Sequence, residues 1–178
     1  PGPLLANAVG ISIDDQGNAY VSQTSRRKSS YLDIREHWDW MTEDLAMQAA
    51  ADKARFYLKV LSQKFSTENE WLEDFNEDGS HDYKDLVVQK ETVRRIWDKD
   101  KDGQADHSQS FAEGFNDLLG GVAGGVLAHN GKIYVTANPS LWEVSDDNKD
   151  LKGDKIKSLA KGFGTHIGFA GQDRKSTR

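Results

Sequence analysis

The chain has 178 residues, of which 37% are hydrophobic and 29% are charged, a composition typical of a globular protein rather than a disordered one. Its formal net charge of −6 argues against nucleic acid as a partner, because phosphate binding needs a basic face. The chain has no cysteine, which excludes disulfides, thiolate zinc sites and cysteine nucleophiles within this stretch. No apolar run approaches the roughly 18 residues of a membrane span, so we expect no membrane contact within this segment.

The first predicted elements are two hairpins. Two β-rich runs in residues 10–24 flank the turn residues Gln16-Gly17-Asn18, and a Gly-Asn pair between such runs is a strong hairpin signal. The runs at 93–97 and 107–111 predict a second hairpin, which finishes on Gly114-Phe115. Two hairpins supply four strands, so residues 7–115 are interpreted as one four-stranded unit. The short basic cluster at residues 26–28 is interpreted as a solvent-exposed loop.

An insertion at residues 33–65 interrupts this unit with a helical period. We predict a short helix followed by a longer one, with an apolar stripe that packs on the rest of the domain. The stripe consists of Ile34, Trp38, Met41 and Leu45, and then Ala54, Leu58, Leu61 and Phe65. The alternative is a lid over a pocket, with Trp38 and Trp40 in its wall.

Residues 124–163 repeat the four-strand pattern. A hairpin turns at Asn130-Gly131, a second is formed by the runs 141–144 and 155–159, and the unit again finishes on a Gly-Phe pair. The repeat of about 40 residues is typical of a propeller blade. The predicted fold is mainly β: a partial β-propeller of about two four-stranded blades, with a helical insertion in the first blade and the start of a third at 164–178. Closed propellers carry 4–8 blades, so we expect this stretch to be a fragment, truncated at both ends, whose partner is the rest of the propeller in the same polypeptide.

Three aspartate-rich segments share one spacing. Residues 74–85, named loop A, begin Asp-x-Asn-x-Asp-Gly-x-x-Asp, and residues 98–106, named loop B, read Asp-x-Asp-x-Asp-Gly-x-x-Asp. A third segment at residues 146–150 begins the pattern, but it lacks the central glycine and has Lys152 where the loop should tighten. The flanks of these segments are predicted as strands, so they are not EF-hands.

This spacing predicts calcium binding, because Ca²⁺ takes 6–8 oxygen ligands and alternate residues of a tight loop point inward. The candidate metal ligands are Asp74, Asn76, Asp78, Ser80, Asp82 and Asp85 in loop A, and Asp98, Asp100, Asp102, Gln104 and Asp106 in loop B. Ser80 and Gln104 would contribute backbone carbonyls. The expected role of the cation is structural. The alternative is a solvated turn without metal, which is what we expect of the third segment.

The order of these motifs resembles the membrane-bound dehydrogenase family, large exported bacterial propellers that are often followed by a c-type haem domain with a Cys-x-x-Cys-His site. The resemblance is carried by residues 33–40, 93–106, 111–116, 124–127, 133–135, 139–142 and 162–166. It implies that residues 1–178 are an N-terminal fragment of the propeller domain. It also implies an exported, periplasmic or cell-surface protein related to sugar dehydrogenases that use pyrroloquinoline quinone and calcium. Haem c would belong to a domain outside this chain. The family's Gly-His-Asp motif is replaced here by Gly171-Gln172-Asp173.

Two functional hypotheses follow. In the first, the chain is a segment of a quinoprotein-like oxidoreductase that oxidises a sugar or alcohol and passes electrons to the haem domain. Such an enzyme needs a general base, usually histidine, and the candidate is His166, which follows the Gly-Phe-Gly at the end of a blade. A structural role is the alternative for this histidine. In the second hypothesis, the propeller is a calcium-stabilised binding scaffold with no chemistry of its own.

Overall fold

The computed structural model describes residues 4–27, 29–163 and 167, and its framework is two four-stranded antiparallel sheets. The first sheet contains β1 (Ala8–Ile13), β2 (Ala19–Gln23), β3 (Glu91–Trp97) and β4 (His107–Gly114). The second contains β5 (Ala123–His129), β6 (Lys132–Ala137), β7 (Ser140–Ser145) and β8 (Lys155–Lys161). Each sheet is a meander in chain order. The prediction of a mainly β chain with four strands per unit is confirmed.

The second sheet repeats the register of the first. Val21 on β2 pairs with Ile11 and Arg94, and Val135 on β6 pairs in the same way with Val126 and Trp142. The last hairpin of each sheet also carries a bulge at the same place, which leaves Phe111 unpaired in β4 and Leu159 unpaired in β8. Residues 93–115 and 141–163 therefore correspond one by one without a gap.

The two sheets pack face to face around one apolar core. Tyr20, Val93 and Phe111 of the first sheet meet Ile133 and Val135 of the second. Hydrogen bonds join β1 and β2 of the first sheet to β5 of the second sheet at the edge of this core. The Ser22 hydroxyl donates to the Gly124 carbonyl (2.8 Å), and the Ala128 amide donates to the Ser12 hydroxyl (2.9 Å).

The helical insertion lies between β2 and β3 and is longer than predicted. It contains α1 (Met41–Ala46) and α2 (Ala50–Val60), so the short helix followed by a longer one is confirmed. Short 3₁₀ helices occur at Ile34–Glu36, Trp38–Trp40, Gln63–Phe65 and Asp85–Val87. The insertion thus runs from the end of β2 to residue 90, and it includes loop A.

The predicted apolar stripe of the insertion is wrong in part. Ile34 and Leu61 are buried, but Trp38 and Leu45 are each 67% exposed and Leu58 is 46% exposed. The stripe shifts because the insertion buries a second apolar cluster with residues outside the predicted segment. That cluster is Leu32, Ile34, Met47, Tyr57, Leu61, Leu72, Leu86 and Ile167.

The predicted third unit lies outside the described residues, apart from Ile167. Ile167 is fully buried against the insertion, and its amide donates to the Asp44 carboxylate at 2.5 Å. His166 is outside the described part of the chain. Among the described residues, no helix combines the length and the apolar character that crossing a membrane requires.

The insertion buries a lysine in this second cluster. Lys53 of α2 is 6% exposed, and its ammonium lies 5.4 Å from the centre of the Tyr57 ring and 6.0 Å from that of Tyr31. Burial lowers the pKa of Lys53 to about 8, although the Asp44 carboxylate acts in the opposite direction. The protonated side chain is therefore costly to bury at neutral pH.

This burial predicts a stability that rises with pH. The unfolded chain keeps the Lys53 proton up to the usual pKa of 10.5, so between the two pKa values the unfolded state binds more protons than the folded state. We expect the free energy of unfolding to rise by about 2 kcal/mol from about pH 7.5 to 9.5. Lys53→Met should abolish this rise in urea unfolding, whereas Lys59→Met, at an exposed lysine of α2, should keep it. A rise of equal size in Lys53→Met would contradict the assignment.

Candidate functional site

Loop B connects β3 to β4 as a hairpin, as predicted. Its shape is held by aspartate side chains that accept hydrogen bonds from backbone amides. The Asp98 carboxylate accepts from Lys101 (2.6 Å) and Gly103 (2.8 Å), and the Asp102 carboxylate accepts from the Gln104 amide (2.8 Å). Gly103 has φ +89°, a left-handed conformation that glycine adopts without steric cost.

This turn gathers three carboxylates. Oxygens of Asp98, Asp100 and Asp102 lie within 4.8 Å of one another, and among the described residues they form the one group of this kind. These three side chains are the ones that could hold a cation here, and such carboxylates repel one another without one. Asp106 has different partners: it accepts from the Lys99 amide (2.9 Å) and pairs with the His107 ring (2.9 Å). The Lys99 amide is the main reason why the pKa of Asp106 is lowered.

Loop A has the same local shape in a different setting. Asp74 accepts from the amides of Asp78 (3.2 Å) and Gly79 (2.9 Å), and Asp78 accepts from the Ser80 amide (2.9 Å). The prediction that strands flank this loop is wrong, because loop A lies inside the insertion and ends in a 3₁₀ helix at Asp85. Loop A does not connect two adjacent strands of either sheet. The spacing of its aspartates therefore predicts the shape of the turn but not that the turn closes a hairpin.

The acidic residues late in loop A are buried and already have partners. Asp82 and Asp85 are 1% and 0% exposed, and Asp85 accepts from the amides of Asn76 (3.3 Å) and Asp82 (2.8 Å). The Lys84 ammonium lies 3.2 Å from Asp78 Oδ2 and 3.1 Å from Asp82 Oδ2. A cation of the protein itself thus lies between two predicted calcium ligands.

The pKa values of Lys84 and Asp78 are both shifted in the direction that favours their charged forms. Hydrogen bonds to Asp82 and Asp78 raise the pKa of Lys84. The Ser80 hydroxyl, followed by Lys84, holds the pKa of Asp78 at about 2. The sequence shows the ligand pattern but does not identify Lys84 as its counter-ion. The signal that could suggest this role is a lysine at the eleventh position of an otherwise acidic loop.

The third segment forms a complete loop. Residues 146–154, named loop C, connect β7 to β8, and Asp146 accepts from the amides of Asp150 (3.1 Å) and Leu151 (2.8 Å). Leu151 takes the left-handed position of the missing glycine, with φ +71°. Asp154, which the sequence analysis did not include, accepts from the amide (3.0 Å) and side chain (2.8 Å) of Asn148. Loops B and C thus have the same length and occupy the same hairpin of each sheet.

One family matches the chain over residues 3–170, and its description is domain of unknown function (DUF7133). The chain belongs to this family. Comparisons with curated proteins and with solved structures returned no significant match. The DUF7133 assignment agrees with one continuous module that contains both sheets and the insertion.

A cavity of about 530 Å³ lies at the end of the sheets opposite to loops B and C. Its wall includes Val9, Val122, Leu141 and Phe163, and Arg27 is the one charged residue in it. This volume is in the range of small-molecule sites.

The ammonium in loop A leads to a prediction. Replacing it in Lys84→Met leaves Asp78 and the buried Asp82 without their counter-ion, so we expect the free energy of unfolding in chelator to fall. The same change should strengthen calcium binding at loop A, which isothermal titration would detect as added heat. Lys59→Met is the matched control and should change neither quantity. Unchanged stability together with unchanged calcium binding in Lys84→Met would contradict the role given to this lysine.

Proposed function

We propose that this DUF7133 chain is a segment of a calcium-stabilised β-propeller that serves as a binding scaffold. The observation that carries the proposal is the recurrence of one aspartate turn at the same hairpin of both sheets, with three carboxylates gathered in loop B. The loop A residues fit a cation less well, because Lys84 already neutralises two of them. Loop B is therefore the calcium site that we propose first.

The propeller architecture is supported by the repetition of the sheets. Both are four-stranded meanders with the same register and the same bulge, and they pack face to face, with β5 hydrogen-bonded to β1 and β2. Units of this kind stack around an axis in propellers. In this proposal the partner of the segment is the rest of the propeller, and the protein is exported, as the family resemblance implies; calcium sites of extracellular modules have affinities of about 0.1–1 mM.

Calcium should stabilise the protein through loop B. For the weak affinity of extracellular calcium modules, about 10 mM calcium should raise the melting temperature by roughly 3–8 °C, and chelator should reverse the rise. Asp98→Asn should abolish most of it, because the side chain loses its charge and keeps only one of the two oxygens that accept the Lys101 and Gly103 amides. Asp147→Asn, at a carboxylate that pairs with Lys155, is the control and should keep the rise, as should Asp146→Asn in loop C. A melting temperature that does not change when calcium is added would contradict the proposal.

The second candidate function is the quinoprotein-like oxidoreductase, and the cavity beside Phe163 favours it. Arg27 in the cavity wall could pair with a carboxylate of pyrroloquinoline quinone, which would supply the two-electron oxidation of a sugar or alcohol. His166 would take the hydroxyl proton of the substrate as general base. The haem c domain that receives the electrons lies outside this chain in this proposal.

The oxidoreductase is tested with the full-length protein, reconstituted with quinone and calcium and assayed by dye reduction over a panel of sugars and alcohols. His166→Gln should lower kcat by about 10²-fold or more, the contribution of general base catalysis. His129→Gln, at the exposed end of β5, should leave the rate unchanged. Absence of dye reduction with every substrate, despite a folded protein, would leave the scaffold as the function.

A further inference from the structure

A second cavity, of about 370 Å³, lies between the two sheets at the end where loop C turns. Its wall combines the turn 14–18 of the first sheet, the turn 129–132 of the second sheet, Arg95 of β3 and loop C. The volume is at the small end of the range for small-molecule sites. Both sheets that form this cavity belong to the chain itself, so the outer sheet faces take no part in it.

Loop C is fixed in the cavity wall because it docks on the first sheet. The Gly153 amide donates to the carbonyl of Phe111 (2.7 Å), and the Gln109 side chain of β4 donates to the Leu151 carbonyl (2.6 Å). Glycine permits this close approach, since a Cβ at position 153 would lie 2.3 Å from Cγ1 of Val144. The wall is therefore preformed rather than assembled by a ligand.

Arg95 is the buried cation of this wall. Its side chain is 8% exposed, its Nη2 donates to Asn18 Oδ1 (2.8 Å), and its guanidinium lies 4.8 Å from the centre of the Trp97 ring. The Nη1 atom is buried too, and among the described residues it has no hydrogen-bond partner. A buried donor without an acceptor is costly, so Nη1 is the atom at which a ligand oxygen would gain most.

The polar groups around Arg95 are neutral or already engaged. Within the described part of the chain, no carboxylate forms an ion pair with its guanidinium. Tyr20 is its cross-strand neighbour, and burial is the main reason why the pKa of Tyr20 is raised, so this hydroxyl stays neutral. Asp14 is linked to Arg95 through Asn18, whose Nδ2 donates to Asp14 Oδ2 (2.9 Å). The other oxygen of Asp14 accepts from the amides of Gln16 (2.9 Å) and Asn18 (2.8 Å).

The corresponding place in the second sheet is neutral as a pair. By register, Glu143 corresponds to Arg95 and Lys132 corresponds to Asn18. The Lys132 ammonium lies 3.0 Å from Glu143 Oε1, so each charge has its counter-ion on the neighbouring strand. The first sheet thus buries a cation where the second has an ion pair. An anion bound at Arg95 would restore this balance of charge.

We propose that this cavity binds a small carboxylate, one oxygen of which accepts a hydrogen bond from Nη1 of Arg95. A carboxylate matches the planar guanidinium, and a single negative charge suits a wall that also contains Asp14, Asp15 and Asp146. Lys149 of loop C, which is exposed, adds a second positive charge. The site goes beyond the proposed scaffold function, because neither calcium nor another blade takes part in it.

The test is a titration of the chain with sodium propionate in the presence of chelator, followed by two-dimensional NMR of the backbone amides. At neutral pH and constant ionic strength we expect a Kd of about 1–10 mM for so small a ligand. The shifts should fall on the turns 14–18 and 129–132 and on loop C, which are far apart in sequence and meet at the cavity. Propionamide has nearly the same shape and no charge, so it should bind about ten times more weakly or less. Inorganic phosphate should bind no more tightly than propionate.

Variants separate this role of Arg95 from a structural one. Arg95→Met should abolish propionate binding, and Arg94→Met is the matched control, since Arg94 lies on the other face of β3 and donates to Ser108 Oγ (2.7 Å). Two exposed positions test the site without a change in its buried wall. Asp15→Asn should tighten binding by about twofold and Lys149→Gln should weaken it by about twofold, because each alters the local charge. An arginine that only supports the fold would give neither effect.

Several outcomes would overturn the proposal. They are equal binding of propionate and propionamide, tighter binding of phosphate, shifts that miss the three segments, and unchanged binding in Arg95→Met. Where Arg95→Met does not fold, the opposite effects of Asp15→Asn and Lys149→Gln decide, and the absence of either counts against the site. The titration contains no calcium, and calcium binding is read from the melting temperature. Failure of the carboxylate site is therefore distinguishable from failure of the calcium site.

Discussion

The arrangement of the molecule depends on one buried carboxylate, that of Glu91 at the start of β3. Glu91 is fully buried, and its Oε1 accepts from the Thr24 hydroxyl (2.9 Å) and from the amides of Ser25 (3.2 Å) and Arg26 (3.0 Å). Its Oε2 accepts from the Ala123 amide, where the second sheet begins. One side chain therefore ties together the exit of β2, the start of β3 and the first residue of β5. A buried charge is stable only when its oxygens are satisfied in this way, so these segments cannot separate without a large cost.

Arg26 extends this junction into the insertion. Its guanidinium donates to the carbonyls of Leu86 (2.8 Å), Phe115 (3.3 Å) and Asp117 (3.3 Å), and burial lowers its pKa. The sequence analysis assigned Arg26 to an exposed basic loop, and this assignment is wrong, since the residue is 0% exposed. A cluster of basic residues is usually solvated, and nothing local to the sequence distinguishes an arginine that will bind three distant carbonyls. The wrong assignment of Arg26 therefore arises because its burial depends on contacts with residues far away in the sequence.

The same distinction explains which predictions succeed. The strands and hairpins are set by alternation of side chains and by turn residues such as Asn130-Gly131, which are local properties, and they are confirmed. The stripe with Trp38 and Leu58 fails because Leu72 and Leu86, outside the predicted segment, supply the core of the insertion. The candidate site divides in the same way: the aspartate spacing predicts the turns, but it does not predict the ammonium of Lys84 in loop A or the docking of loop C.

In each of the three aspartate loops, several carboxylates lie close together and repel one another, and the three loops differ in what offsets this repulsion. Each turn is shaped by carboxylates that accept backbone amides, so the shape itself requires no metal. In loop A the repulsion is relieved by Lys84. Loop C is held by its contact with β4, even though Leu151 bears a left-handed conformation that costs roughly 1–2 kcal/mol. Loop B has neither device, and its three carboxylates repel by about 1 kcal/mol per pair even in water. A cation therefore has most to contribute at loop B, where it would stabilise a turn that already exists.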